Sequence, residues 1–424
     1  MAGGLMQLVA YGAQDVYLTG NPEVTFFQAK YKRHTNFAME NIEQTLNGNA
    51  GNSGRVSVTV ARNGDLVGDM YVQLESNAAS DSGACWVAER AIASVELSIG
   101  GQRVDKQYQK WWRLYTELHL DEAKKATYGK LTSAVGTSHV FLPLMFFFNR
   151  NPGLYLPLIA LQYHEVRIDF DLASDMETYL NKGVFKVWAN YIYLDTEERR
   201  RFAQKGHEYL IEQVQHTGVD TVDAGTVANP ATKQIRLSYN HPVKELVWCL
   251  SGSGADSLWN FGKAAGSAKI ALTTGPASAT STELDAVPIS AATGAPMVAT
   301  GGDGTALVAT REAWTEEVQS VQSTFKLVLN GQDRFKEQGS KYFNQVQPFN
   351  HHSGCPFPGV YAYSFALKPE EHQPTGTCNF SRIDNAQVAI TTAAAGDATN
   401  LHMFATNYNV LRIQSGMGGL AFSN

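Results

Sequence analysis

The chain carries one strand-and-turn unit twice. Val95-Glu96-Leu97-Ser98-Ile99 runs into Gly100-Gly101-Gln102-Arg103, and Phe325-Lys326-Leu327-Val328-Leu329 runs into Asn330-Gly331-Gln332-Asp333. Each copy alternates apolar residues, turns at Gly-Gln, takes a charged step and reaches aromatics: Tyr108 with Trp111-Trp112, and Tyr342-Phe343. The two Gly-Gln corners lie 230 residues apart in a chain of 424. A unit repeated at that spacing implies two copies of one fold. The length also fits two domains of about 200 residues better than one core.

Further markers recur in the same order. Val56, Val58 and Val60 alternate, turn at Asn63-Gly64-Asp65 as in a hairpin, and continue through Met70, Val72 and Leu74. Ile235, Leu237 and Tyr239 turn at Asn240-His241-Pro242 and continue through Leu246 to Leu250. Tyr191 to Leu194 matches Tyr408 to Ile413 as the closing strand. The Asn turns are 177 residues apart, 53 fewer than the Gly-Gln corners, so the second copy carries an insertion. From Ala264 to Thr310, about two-thirds of the residues are Ala, Gly, Ser or Thr, too few apolar groups to order a segment alone. A long exposed loop at about 251–320 is expected there.

Helix is sparse in this pattern. Tyr108, Trp111, Trp112, Tyr115 and Leu118 follow helical spacing and predict one amphipathic helix. The apolar runs Val140–Phe148 and Leu154–Leu161 read as two buried strands, and the Asn149-Arg150-Asn151-Pro152 break speaks against a membrane span. Asp195 to Gly206 is the most charged stretch and reads as the junction, a short helix or linker. The expected domains are an extended arm over 1–23 and two sandwiches over 24–205 and 206–424. About eight short strands per half give an all-β fold, two tandem eight-stranded antiparallel jelly rolls with short helices and long loops.

No catalytic constellation emerges. Net charge is −6 with no basic tail, which disfavours direct nucleic-acid binding. Cys85, Cys249, Cys355 and Cys378 are scattered and form no CxxC, which points to free thiols in a reducing compartment. The N-terminus lacks the pattern of a signal peptide. Asp169 and Asp171 share a strand face and could flank a glycosidic bond, but the solvent face of a half-buried strand explains them better. His351, His352 and Cys355 suggest metal ligands or a nucleophile without a completing partner, so no metal, cofactor or catalytic residue is assigned. Gly416-Met417-Gly418-Gly419 looks like a phosphate loop, yet no helix can follow it within the five remaining residues. Asn379-Phe380-Ser381 is the sole standard sequon, making Asn379 the candidate glycosylation site.

Several long runs resemble a known family. These are MAGGLMQLVAYGAQDVYLTGNP, GGQRVDKQY, FFFNRNPGLYLPLIALQYHEV, LDTEERRRFAQ, LNGQDRF, YSFALKP, TGTCNFSRIDNA and NYNVLRIQSGMGGLA. Together they look like the major capsid protein of large icosahedral nucleocytoplasmic DNA viruses, of the algal-virus type. The resemblance spans nearly the whole chain and lapses at about 252–319. It implies a double jelly roll, a pseudo-hexagonal homotrimeric capsomer tiling an icosahedral shell, and assembly in the host cytoplasm. Implied partners are neighbouring capsomers, minor capsid and penton proteins and, indirectly, an internal viral membrane, with no small-molecule substrate. The alternatives are a minor capsid paralogue or a carbohydrate-binding or carbohydrate-hydrolysing β-sandwich.

Overall fold

The computed structural model describes residues 3–50, 54–76, 86–132, 139–173, 180–223, 225–226, 228–251, 322–354, 356, 359–392 and 399–422. Within 252–321 it describes four dipeptide strands alone, so the Ala/Gly/Ser/Thr-rich loop expected there otherwise lies outside the described residues. Cys85 and Cys355 also lie outside them.

Residues 1–37 form a unit of their own. The sequence reading expected an extended arm over 1–23, but Gly3–Val9 (α1) and Val16–Thr19 (α2) are helical. Gly12 N–H donates to the Asp15 carboxylate at 2.7 Å, which sets the turn before α2. Leu8, Tyr17, Leu18, Phe26 and Phe27 are all exposed.

The larger unit, Ala38–Asn424, holds the strands apart from Phe37, the first residue of β1. In its first half these are β1 (Phe37–Gln44), β2 (Leu46–Asn47), β3 (Arg55–Thr59), β4 (Leu66–Ser76), β5 (Ile92–Ile99), β6 (Gln102–Tyr108), β7 (His139–Pro143), β8 (Leu156–Pro157), β9 (Val166–Leu172) and β10 (Leu180–Leu194). They make one sheet in the order β1-β10-β4-β7, with β8 beside β4, and a second in the order β2-β3-β9-β5-β6. In the second half come β11 (His207–Val222), β12 (Ala231–Leu237), β13 (Pro242–Ser251), the dipeptides β14 (Lys269–Ile270), β15 (Val287–Pro288), β16 (Ala299–Thr300) and β17 (Ala306–Leu307), then β18 (Gln322–Leu329), β19 (Gln332–Asp333), β20 (Gln338–Gly339), β21 (Val360–Ser364), β22 (Cys378–Asn379), β23 (Ala386–Thr392), β24 (Thr399–Gln414) and β25 (Met417–Leu420). Here the sheets run β11-β24-β13-β21, with β22 beside β13, and β12-β23-β18-β19.

The two halves match in all their strands but β2, β20, β25 and the dipeptides β14–β17. β10, β4, β7 and β8 have the same neighbours as β24, β13, β21 and β22, and β3, β9, β5 and β6 the same as β12, β23, β18 and β19. The fold is therefore the double jelly roll that the repeated unit implied. The repeated corners are one turn used twice. Gly100 and Gly101 have φ of 58° and 82°, and Asn330 and Gly331 have 50° and 81°. Positive φ at both central residues is the two-residue turn whose twist suits a hairpin, and Gly and Asn adopt it most cheaply.

Two sequence expectations need correction. Asn63-Gly64-Asp65 does not close a hairpin, because β3 and β4 lie in different sheets. The chain crosses the sandwich there: Asp65 accepts the Leu194 N–H at 2.9 Å and pairs with Arg199 at 3.0 Å. The run 140–161 holds two strands, as expected, but both are short. After β7 it forms a helix, Phe147–Arg150, a 3-10 turn, Pro152–Leu154, and the dipeptide β8. Phe146, Phe147 and Phe148 are all buried, and a run buried on every side shows no period that separates helix from strand.

Alternating residues of the first two sheets fill one core, with Val56, Val58, Val72, Leu74, Leu97, Ile168, Phe170 and Val187 fully buried. The second core is aromatic. Trp248 stacks on Phe325 at 4.2 Å, Phe343 lies edge-on to Phe325 at 5.0 Å, and the Trp248 indole N–H donates to Gln322 at 2.8 Å.

Candidate functional site at the seam between the sandwiches

Residues from both halves meet on one face of the sheet β11-β24-β13-β21. Along β13, Leu246, Trp248 and Leu250 point into the second core, while Val247 and Cys249 belong to the first. β21 divides the same way, with Tyr361 and Tyr363 on one side and Val360 and Ala362 on the other. In β24, Met403 and Ala405 oppose Phe404. This sheet is thus buried on both faces, as its unbroken apolar run Leu246-Val247-Trp248-Cys249-Leu250 allows.

The predicted amphipathic helix covers the second face. It spans Gln109–His119 (here α3) and buries Trp111, Trp112, Leu114 and Leu118. Trp111 lies 5.6 Å from Phe404, and Tyr108, just before the helix, lies 5.0 Å from His216 and 6.0 Å from Phe404. Trp112 donates its indole N–H to Gln107, and Gln107 donates to the Met145 carbonyl at 2.7 Å, so this polar pair is satisfied.

Buried polar groups then fix the register across the seam. Asp105 on β6 accepts the Val214 N–H of β11 at 3.0 Å, and Gln213 donates to the Val104 carbonyl. Burial pushes the Asp105 carboxyl from 3.8 up to about 6, against the pull of that N–H and of Arg150. Glu212 binds Arg150 of the first half at 3.1 Å and Lys244 at 2.8 Å. Burial alone would raise the Glu212 carboxyl, but those cations hold it below its usual range. Glu245, on β13, accepts from His119 at 3.1 Å and His352 at 3.0 Å. Such pairs bring specificity of alignment more than net stability, because each charge has lost its water.

The glycine-rich stretch near the C-terminus is part of the same seam. Gln414 and Met417 pair across a turn whose central residues, Ser415 and Gly416, have φ of 54° and 80°. Tyr163 N–H donates to the Gly416 carbonyl at 3.0 Å, and Leu420 N–H donates to Gln102 at 3.2 Å. A Cβ on Gly416 would sit 2.6 Å from the Tyr163 ring, and one on Gly418 would sit 2.6 Å from Leu161. Glycine here lets a hairpin lie flat against the first sandwich. The first Gly-Gln corner is therefore tied to the C-terminal hairpin by one exposed hydrogen bond, and both Gln102 and Gln332 remain exposed.

The residues singled out from sequence scatter. Asp169 is held by Arg55 at 3.0 Å and Arg167 at 2.8 Å, and Asp171 accepts from Ser94 at 2.7 Å. Both carboxylates are thereby tied into strand-to-strand pairs. His351 bonds the Leu367 carbonyl at 2.9 Å and His352 bonds Glu245, so the two neighbours face different partners. Asn379 uses its Oδ1 to accept the Ser381 N–H, and Ser381 Oγ accepts the His241 N–H. Sequence reasoning missed Asp105, Glu212, Gln213 and Glu245. For Glu245 the available signal was a charged residue inside a strand otherwise apolar on both faces, whereas β6 and β11 carry too many polar residues to single out the other three. Among the described residues, no helix is long and apolar enough to cross a membrane.

Comparison with known proteins agrees with this architecture. Residues 198–419 match the family described as large eukaryotic DNA virus major capsid protein, and residues 25–195 match the major capsid protein N-terminus family. The chain is 43% identical to the major capsid protein of Paramecium bursaria Chlorella virus 1 and 39% identical to that of Phaeocystis pouchetii virus, each over 100% of both chains. It superimposes on the capsid protein in a quasi-atomic model of the PBCV-1 virus capsid with a TM-score of 0.77, at 39% identity, covering 94% of this chain and 100% of the other. The Faustovirus major capsid protein shares the fold at 13% identity, with a TM-score of 0.69 over 97% and 96% of the two chains.

Proposed function

We propose, for a chain that belongs to the major capsid protein family of large eukaryotic DNA viruses, that three copies form one capsomer of pseudo-hexagonal outline. Membership makes the protein a structural component of the virion shell and not an enzyme. The observation that carries the proposal is the matching strand order of the two halves, locked together by a sheet that serves both cores. One chain then offers two similar lobes at a fixed angle, and three chains in a closed ring offer six. Capsomers of that outline tile the faces of an icosahedral shell through weaker contacts repeated many times.

In this reading the two lobes are the domains 24–205 and 206–424. The segment 1–23 orders against a neighbouring capsomer or a minor capsid protein. Its exposed Leu8, Tyr17 and Leu18 supply the apolar surface for that contact. Penton proteins close the vertices, an internal membrane is reached indirectly, and assembly takes place in the host cytoplasm. Light scattering of the purified protein should give a mass near three times 46.4 kDa. A monomer that persists at micromolar concentration would reject the trimer.

A further inference from the structure

We infer that His119, Glu245 and His352 form a divalent-metal site, of zinc-binding chemistry, that staples the two jelly rolls together. The inference stands on the seam and holds whether or not the chain trimerises.

The three side chains come from three separate elements. His119 ends α3, Glu245 lies on β13, and His352 follows the helix Gln347–His351. Their candidate ligand atoms all lie within 4.8 Å of one another. His119 Nε2 is 3.1 Å from one Glu245 oxygen and His352 Nε2 is 3.0 Å from the other. Zinc binds imidazole nitrogen and carboxylate oxygen at about 2.0–2.2 Å, so neighbouring ligand atoms of a tetrahedral site stand roughly 3.4 Å apart. The two imidazole–carboxylate spacings lie near that value, and the three ligand atoms, all within 4.8 Å of one another, would draw together around an ion. Two histidines and one carboxylate are also a donor set that zinc uses repeatedly.

The surroundings favour a cation. The side chains of His119, Glu245 and His352 are 6%, 1% and 0% exposed. The two histidines sit at the C-terminal ends of helices, where the backbone dipoles present negative charge. Among the described residues, neither His119 Nδ1 nor His352 Nδ1 has a hydrogen-bond partner. Each ring can carry its proton on Nδ1, exchanging its Nε2–H bond to Glu245 for a bond from Nε2 to the metal. The His119 ring is further held by stacking on Tyr115 at 4.4 Å.

The duplication accounts for the site. Each Gly-Gln corner leads into a helix, and His119 and His352 stand 18 and 21 residues beyond Gly101 and Gly331. Equivalent helix ends from the two lobes thus meet on one carboxylate. The loop after His352 is pressed onto α3, with Gly354 N–H donating to the Leu118 carbonyl at 2.9 Å. A metal here would tie α3 of the first lobe to β13 and the 352–354 loop of the second.

The test uses the full-length protein unfolded, refolded with zinc or cobalt(II), and then exhaustively dialysed against metal-free buffer. We expect about one zinc per chain by elemental analysis and, with water in the fourth position, a visible cobalt spectrum of tetrahedral intensity. His352→Cys should retain the metal and add a thiolate-to-cobalt charge-transfer band. The doubly substituted His119→Gln/His352→Gln protein should lose at least tenfold in bound zinc while keeping its far-ultraviolet circular dichroism. If that protein does not refold, the His352→Cys spectrum decides alone. Zinc below a tenth of an equivalent in the unaltered protein, with no cobalt band, would leave a buried ion pair only and overturn the inference. Undiminished zinc in the folded double variant, or a His352→Cys protein without the new band, would overturn it equally.

Discussion

At the residue scale, the seam rests on close approaches and neutral buried bases. A Cβ on Gly354 would lie 2.5 Å from the carbonyl oxygens of both Glu117 and Leu118. Both obstacles are backbone, so neither can swing aside. Gly354→Ala should therefore cost about 1–3 kcal/mol, read as a lowered melting temperature. His216 stacks on Phe404 at 4.5 Å, and its Nε2 has no partner among the described residues. Burial lowers it from 6.5 to about 4. Burial, with Lys110 and His216 nearby, lowers His402 to about 3. A histidine held neutral in the fold stabilises it fully above pH 6.5, and that stability drains away as pH falls through the window toward 4. Asp105 acts in the opposite sense: its raised carboxyl loses stability as pH rises from 3.8 to about 6. Asp69 and Glu89, whose carboxyls burial also raises, act in the same sense as Asp105, so the histidine contribution is read by comparing a variant with the unaltered protein from pH 7 to pH 5. His216→Phe keeps the ring contacts and removes one of the bases, and its melting temperature should fall less, or rise more, over that interval. An identical slope in both proteins would refute the assignment.

At the element scale, the decisive object is the sheet β11-β24-β13-β21. Consecutive residues of β13 and β24 enter different cores, so neighbouring substitutions should act on different lobes. Trp248→Ala empties the second core and Phe404→Ala empties the seam. Each should cost about 3–5 kcal/mol, since both rings are almost wholly buried. Hydrogen exchange separates the two. Trp248→Ala should speed exchange mainly in β18 and β23, and Phe404→Ala mainly in α3 and β6. The same pattern in both variants would mean that the sheet does not divide two cores. The Gly-Gln hairpins teach a related point. They are the same turn by φ and both glutamines are exposed, yet Gln102 accepts the Leu420 N–H of the C-terminal hairpin. Duplication copies the element, and its surroundings then differ.

At the scale of the whole molecule, two sandwiches sharing one doubly buried sheet cannot unfold independently. Separating them would expose Trp111, Val247, Cys249 and Phe404 and take Arg150 from Glu212 and His119 from Glu245. Scanning calorimetry of the purified protein should show one cooperative transition. Two resolved transitions would show that the lobes are only tethered. Such coupling suits a shell protein, because a lobe that tilts would disturb every neighbour in a lattice.

The amino-acid sequence by itself determined the repeated unit, the all-β class, the double jelly roll and the amphipathic helix, and its motifs carried the family resemblance. These are local or periodic properties: a Gly-Gln turn needs positive φ wherever it stands, and alternation marks a strand with one wet face. Tertiary structure alone decided three other matters. It placed β3 and β4 in different sheets, because a turn's residues do not say whether the chain returns beside itself or crosses over. It made Phe147–Arg150 a helix inside a run too apolar to show a period. It also chose the partners of the buried polar groups. His352 was legible as a histidine beside His351 and Cys355, but Glu245 lies 107 residues away from it and His119 a further 126. Spacing in sequence carries no information about such meetings. Only the packing of one lobe on the other brings the three together.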